Sequence, residues 1–108
     1  TIPYGIRSTG VRRVMVCGLT NDLTYEGGIQ GTTTPTPTAA ITRLRSLWAT
    51  VRSFGIEVIN ISIGPRNDSY SGAIPAWFAA EAAAAAADGV QNIDILTPCS
   101  NDGMTWKT

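Results

Sequence analysis

Val14-Met15-Val16-Cys17-Gly18-Leu19-Thr20-Asn21-Asp22 is the stretch that decides the fold. Four apolar residues run into Gly and then into Thr, Asn and Asp. A strand covered on both faces needs no alternation of apolar and polar residues, so this pattern predicts a parallel strand over 11–17 that stops in a polar loop. In open α/β sheets, sites lie at the carboxyl ends of the strands. The rest of the chain is read outward from that edge.

Upstream, residues 1–10 hold a proline and two glycines without periodicity and read as a lead-in loop. Downstream, 23–38 reads as a loop, because Gly27-Gly28, Gly31 and the Thr/Pro run that ends at Thr38 break regular structure. Thr36 as N-cap and Pro37 at the first helical position open a helix over 37–54, closed by Gly55. Its apolar stripe is Ile41, Leu44, Trp48 and Val51, widened by Leu47 and Phe54, with Arg43, Arg45 and Arg52 off it. The β-branched run 56–63, interrupted by Asn60 and Ser62 and closed by Gly64-Pro65, predicts a second strand. Pro75 opens a helix over 74–88 whose alanines suit close packing on a sheet. A third strand is expected over 92–97, with a polar turn after it.

This βαβαβ order implies an α/β fold with a parallel sheet. Right-handed crossovers between sequential strands place both helices on one face. Yet apolar residues alternate onto both: Met15 and Cys17 against Val14 and Val16, Ile59, Ile61 and Ile63 against Ile56 and Val58, Ile93 and Ile95 against Leu96. The second face therefore needs cover from an N-terminal half, a second copy or another protein. The chain opens on Thr1, and it is expected to be a piece of something longer.

Eight basic and eight acidic residues cancel, so no overall field draws the chain to nucleic acid. No apolar run approaches the roughly 20 residues of a membrane helix, and no membrane partner is expected. Two cysteines and no histidine make neither a disulfide framework nor a zinc site. Cys17 and Cys99 are expected to be buried and unbridged. No metal and no cofactor is expected, and the compartment is left open.

Each strand end carries an Asn-Asp pair: Asn21-Asp22, Asn67-Asp68 and Asn101-Asp102. With Thr20, Ser69, Ser100, Tyr25, Tyr70 and Trp106, they would gather amides, carboxylates and flat aromatic faces on one edge, which suits a carbohydrate or another polar ligand. The same residues are also ordinary turn formers. A further alternative gathers Asp22, Asp68 and Asp102 into a site for Mg²⁺ or Ca²⁺.

The order of these features resembles the second half of an SGNH hydrolase, the GDSL esterase and lipase superfamily. The likeness runs over about residues 11–108 and implies a three-layer parallel sheet of the flavodoxin-like or SGNH-like kind, present here as a half-domain or as a C-terminal fragment of one. Thr20-Asn21-Asp22 is placed like the family's oxyanion block, which makes Asn21 the oxyanion donor by resemblance, although the block's Gly is Leu19. Asp102-Gly103-Met104-Thr105 is placed like the block that carries the triad acid and, three residues on, the catalytic His. Asp102 keeps the acid position, and Thr105 stands where the His belongs. The nucleophilic Ser block has no counterpart.

A Ser, His and Asp mechanism needs a base of near-neutral pKa, which Thr105 is not. The expected function is therefore a module lacking Ser and His that serves binding or assembly, facing carbohydrate or forming part of a phage or other surface structure. Its binding residues would be Thr20, Asp22, Tyr25, Asn67, Asp68, Tyr70 and Trp106. The alternative is a fragment of an active esterase acting on ester or acetyl groups of a carbohydrate or lipid, its nucleophile supplied by another segment.

Overall fold

A computed structural model describes residue 10 and residues 12–107. Most of the expected lead-in loop and the first residue of the expected first strand lie outside the described residues. The elements run β1 (Arg13–Val16), α1 (Leu19–Gln30), α2 (Thr38–Arg52), β2 (Glu57–Ile61), a 3₁₀ turn (Ser71–Ala73), α3 (Ile74–Asp88), β3 (Gln91–Ile93) and the short α4 (Leu96–Cys99). The three strands form one parallel sheet in the order β1-β2-β3, with Val14 opposite Val58 and Asn60 opposite Asn92. The fold is α/β, with sequential parallel strands, the order on which the expected placement of both helices on one face depends.

One face of the sheet is packed. Val58 and Asn60 are buried there, α2 lies on β2, α3 on β3, and the two helices on each other. Trp48 of α2 and Trp77 of α3, 1% and 0% exposed, fill the space between, with Leu23 and Ile74. The Trp77 indole donates to the carbonyl of Pro35 at 2.8 Å, which ties the loop before α2 to the core. On the other face Met15 is 63% and Ile93 36% exposed, while Ile59 and Ile61 are half-buried.

Several elements differ from the sequence expectation. Residues 23–38 are not one loop, since α1 begins at Leu19 and runs to Gln30. Leu19, Leu23, Glu26 and Gly27 form its buried face at helical spacing. Gly27 sits inside the helix because the Tyr70 ring presses on it, and a Cβ there would also lie 2.9 Å from the Thr32 carbonyl. Gly31, at φ 69°, supplies the left-handed stop.

Thr36 does not cap α2. Pro37 is the N-cap residue, and its carbonyl accepts the first helical bond from Ile41. The Thr36 backbone N–H donates instead to Gln30 Oε1 at 2.9 Å, so the end of α1 holds the approach to α2. Leu47 and Phe54 are 46% and 42% exposed and do not widen the buried stripe, which is Ala40, Leu44, Trp48 and Val51. In α3, Ala84 and Ala85 are buried, whereas Ala83, Ala86 and Ala87 are exposed.

The third strand stops at Ile93 rather than at 97. The Asp94 carboxylate accepts the N–H groups of Leu96 and Thr97 at 2.8 and 2.9 Å and turns the chain into α4. Ile95 and Leu96 therefore do not alternate across the sheet. Ile63, expected on the open face, is 2% exposed because β2 ends at Ile61 and the chain turns inward. The two cysteines are free, as expected, but Cys17 is exposed rather than buried, at the end of an edge strand.

Candidate functional site

The carboxyl ends of the strands enclose a cleft of about 190 Å³. The segment after β1 contributes Cys17, Gly18, Leu19, Thr20 and Asn21, and the segment after β2 contributes Ser62, Ile63, Gly64 and Pro65. Ile95 and Trp106 close it. Asn21 lies in the first turn of α1, not in a loop, and is one of the residues that line the cleft. Trp106 is 48% exposed, and its backbone N–H donates to Asn67 Oδ1 at 3.0 Å. Asn67 thus serves the cleft by holding the tryptophan.

Arg66 binds the rim together, a role that the sequence reading did not give it. Its guanidinium donates to the Thr20 carbonyl at 2.7 Å, to Thr24 Oγ1 at 2.8 Å and to Asp68 Oδ2 at 2.6 Å. Its backbone N–H reaches the Met104 carbonyl, and the guanidinium lies over the Tyr70 ring at 5.2 Å. The planar fork with five donors is what allows one side chain to tie α1 to the segment after β2, and the backbone N–H adds the segment at Met104. The Arg66 hydrogen bond is the main reason that the Asp68 carboxyl lies below its ordinary range; burial opposes it and the Tyr70 N–H adds to it.

The expected binding residues do not all meet. Thr20, Asn21 and Trp106 line the cleft, and Asn67, Asp68 and Tyr70 support it from behind. Asp22 and Tyr25 are directed elsewhere. Asp22 pairs with Arg43 of α2 at 3.4 Å, and Tyr25 lies against the same guanidinium at 5.8 Å. Arg43 also binds the buried Glu26 at 2.8 Å, and that hydrogen bond holds the Glu26 carboxyl below its ordinary value. The periodicity that puts Leu19 and Leu23 inward turns Asp22 and Tyr25 toward α2.

Asp102 lines a second, wider cleft of about 360 Å³ with Pro75, Phe78 and Thr97. Its Oδ1 accepts the Thr105 N–H at 2.8 Å, the Met104 N–H at 2.9 Å and the Ser100 hydroxyl at 3.0 Å, while Oδ2 accepts the Thr105 hydroxyl at 2.8 Å. These bonds, the Thr105 and Met104 N–H groups first, hold its carboxyl far below the usual range. Asp102 and Thr105 are in contact, as the three-residue spacing requires, but Asn21 and Asp102 line different clefts.

A shared cation site for Asp22, Asp68 and Asp102 is not formed. The first two carboxylates are taken by Arg43 and Arg66 and the third by its own turn. Among the described residues no cluster of His, Cys, Asp or Glu could hold a metal ion.

Sequence reasoning also missed the polar network under the cleft. Asn60 and Ser62 were legible as interruptions of a strand, and Glu81 as one charge in an alanine run four residues after Trp77. All three are buried, at 1%, 0% and 1% exposure. Comparison with protein-family models, with curated proteins and with solved structures found no match to this chain.

Proposed function

We propose that this chain is an SGNH-hydrolase-like binding module without hydrolytic chemistry, and that its cleft at the strand ends takes a sugar. The cleft itself carries the reading. Its lining joins a flat indole, Trp106, to an amide, Asn21, and a hydroxyl residue, Thr20. A pyranose ring offers an apolar face to the one and hydroxyls to the others. Pro65 and Ile95 add apolar wall that suits an acetamido methyl.

The resemblance would make Asn21 an oxyanion donor, but donors alone do not attack an ester. The chain holds no histidine, and the residue at that position, Thr105, donates a hydrogen bond from its hydroxyl to Asp102 and has none of the basicity of an imidazole. The second sheet face, on which Met15 and Ile93 are exposed among the described residues, supports the part of the proposal that concerns assembly. One observation favours the alternative of an esterase fragment: the acid position and the position three residues later are in side-chain contact at 2.8 Å, as a triad's acid and base would be.

Two assays separate these readings. Trp106 is the one exposed indole among the three tryptophans, so quenching by N-acetylglucosamine or glucose reports the cleft and is lost in Trp106→Phe. Saturable binding that weakens on Asn21→Ala is expected, together with p-nitrophenyl acetate turnover no faster than buffer. Saturable ester turnover that falls on Asn21→Ala would overturn the proposal in favour of the esterase.

A further inference from the structure

We infer that Glu81 is the positioning residue of the cleft, and that the cleft wall takes one of two arrangements according to whether this carboxyl is charged. The inference rests on the binding role proposed for the cleft, but the wall and its control are features of the chain alone.

The ladder between β2 and β3 ends at Ile61 opposite Ile93, and one further bond runs from the Ser62 N–H to the Ile93 carbonyl. Past that point the chain forms the cleft wall, and two of its N–H groups no longer have a strand to donate to. Each is answered by a buried side chain. Ile63 N–H donates to Glu81 Oε1 at 2.7 Å, and Ile95 N–H donates to Ser62 Oγ at 2.9 Å. A buried N–H must find an acceptor, so these bonds fix the backbone of the wall from beneath.

The other oxygen of Glu81 makes the arrangement conditional. Oε2 accepts from Asn60 Nδ2 at 2.7 Å, and the same nitrogen donates to Asn92 Oδ1 at 2.9 Å. Asn60 Oδ1 is then left buried with no hydrogen-bond partner. Every bond at the carboxylate is one that it accepts, which is the pattern for the charged form.

When a proton from solvent binds Oε2, that oxygen becomes a donor. Asn60 then has to turn its amide over, so that Oδ1 accepts from Glu81 and from an Asn92 amide that has turned likewise. The Glu81–Asn60–Asn92 bonds are then made again in the opposite direction, with Asn60 Nδ2 in the unpartnered place that Oδ1 leaves, but the acceptor offered to Ile63 N–H is a neutral carboxyl oxygen and the bond that positions the wall is weaker.

No charge on the packed elements opposes such a switch. The groups facing Glu81 from the sheet are the amides of Asn60 and Asn92, and among the described residues no ion pair reaches it. From α2, Arg45 is engaged with Asp88, and Arg52 with the Asp88 and Gly89 carbonyls, at the far end of α3. Burial pushes the Glu81 carboxyl above its ordinary value, against the Asn60 and Ile63 bonds that lower it, so the change of charge falls at milder pH than for a surface glutamate.

The test is a pH titration of the ¹⁵N-labelled chain between roughly pH 4 and pH 8, which brackets a raised carboxyl. The Ile63, Gly64 and Ile95 amides and the Trp106 indole N–H should move together, with one midpoint above the ordinary glutamate value, and Glu81→Gln should abolish the step. N-acetylglucosamine should bind about tenfold more weakly to Glu81→Gln, the loss of roughly one charge-assisted hydrogen bond's advantage. A flat titration at Ile63, or movement at Ile63 without Gly64 and Trp106, overturns the inference whether or not sugar binds. A concerted step in a chain that binds no sugar leaves Glu81 as positioning residue and removes the sugar proposal instead. If Glu81→Gln does not fold, the wild-type titration decides alone.

Discussion

The two faces of one three-stranded sheet differ in how completely each is finished. Beneath it, Val58, Asn60, Trp48 and Trp77 are almost wholly excluded from water, and the Asn60 amide nitrogen and the Trp77 indole find acceptors on neighbouring elements. Above it, Met15, Ile59, Ile61 and Ile93 form an apolar stripe that is left partly exposed among the described residues, with the Arg13–Glu57 ion pair at 2.6 Å beside it. The same alternation of side chains generates both. A strand sequence therefore states that a face is apolar, and only the rest of the chain states whether it is covered.

The largest expected contrast comes from truncating the covered side. Trp77→Ala removes a fully buried indole and leaves the Pro35 carbonyl without its donor, a loss of about 3–5 kcal/mol read from urea denaturation. That is a large share of a small domain's stability, on the order of 5–15 kcal/mol.

Acid should act on the covered side in the opposite sense from the rest of the molecule. The folded Glu81 carboxyl is raised, so its contribution is complete below the ordinary glutamate value and is lost as pH rises through the folded value. Asp68, Asp88, Asp94 and Asp102 are lowered, and their contribution is lost as pH falls below the ordinary aspartate range. Mild acidification should thus raise the denaturation midpoint before stronger acid lowers it, and the rise should be absent from Glu81→Gln.

The smallest effect on the isolated chain is expected on the open side. Met15→Ser should change the stability of the monomer by less than about 1 kcal/mol, because Met15 is 63% exposed and much of the removed surface is already in water. Light scattering is the sharper measurement, since the substitution should reduce self-association at high concentration. A loss as large as that of Trp77→Ala would mean that the open face is not open.

The order of the sheet and the helices over 37–54 and 74–88 was legible because Leu44, Trp48 and Val51, and the Pro75 start with the Gly89 stop, are strong local signals. The helix over Leu19–Gln30 was not. Its two adjacent glycines argue for a loop, and the reason for one of them is a tyrosine 43 positions away whose ring occupies the space. At the site, the gathering of Asn21, Asn67 and Trp106 at one edge followed from the topology. The departure of Asp22 and Tyr25 did not, because it depends on the helical rotation that the glycines concealed. Arg66 and Glu81 were hidden for a different reason. A lone charge beside an apolar run reads as surface, and only the positions of Asn60, Thr20 and Thr24 show what it holds.

The sequential parallel order also governs the speed and safety with which this chain reaches its structure. Arg13 meets Glu57 and Ile59 meets Gln91, so no two neighbouring strands are joined by a hairpin, and the pairings close loops of about 44 and about 32 residues. Local helices can form early, but no strand can add its hydrogen bonds until a distant one arrives, and such topologies fold slowly. During that interval the β-branched run around Ile59 and Ile61 is exposed on both sides, a template for other chains as much as for its own partners. Synthesis adds to the delay, because β2 must wait for the ribosome to release β3 before its second edge is closed.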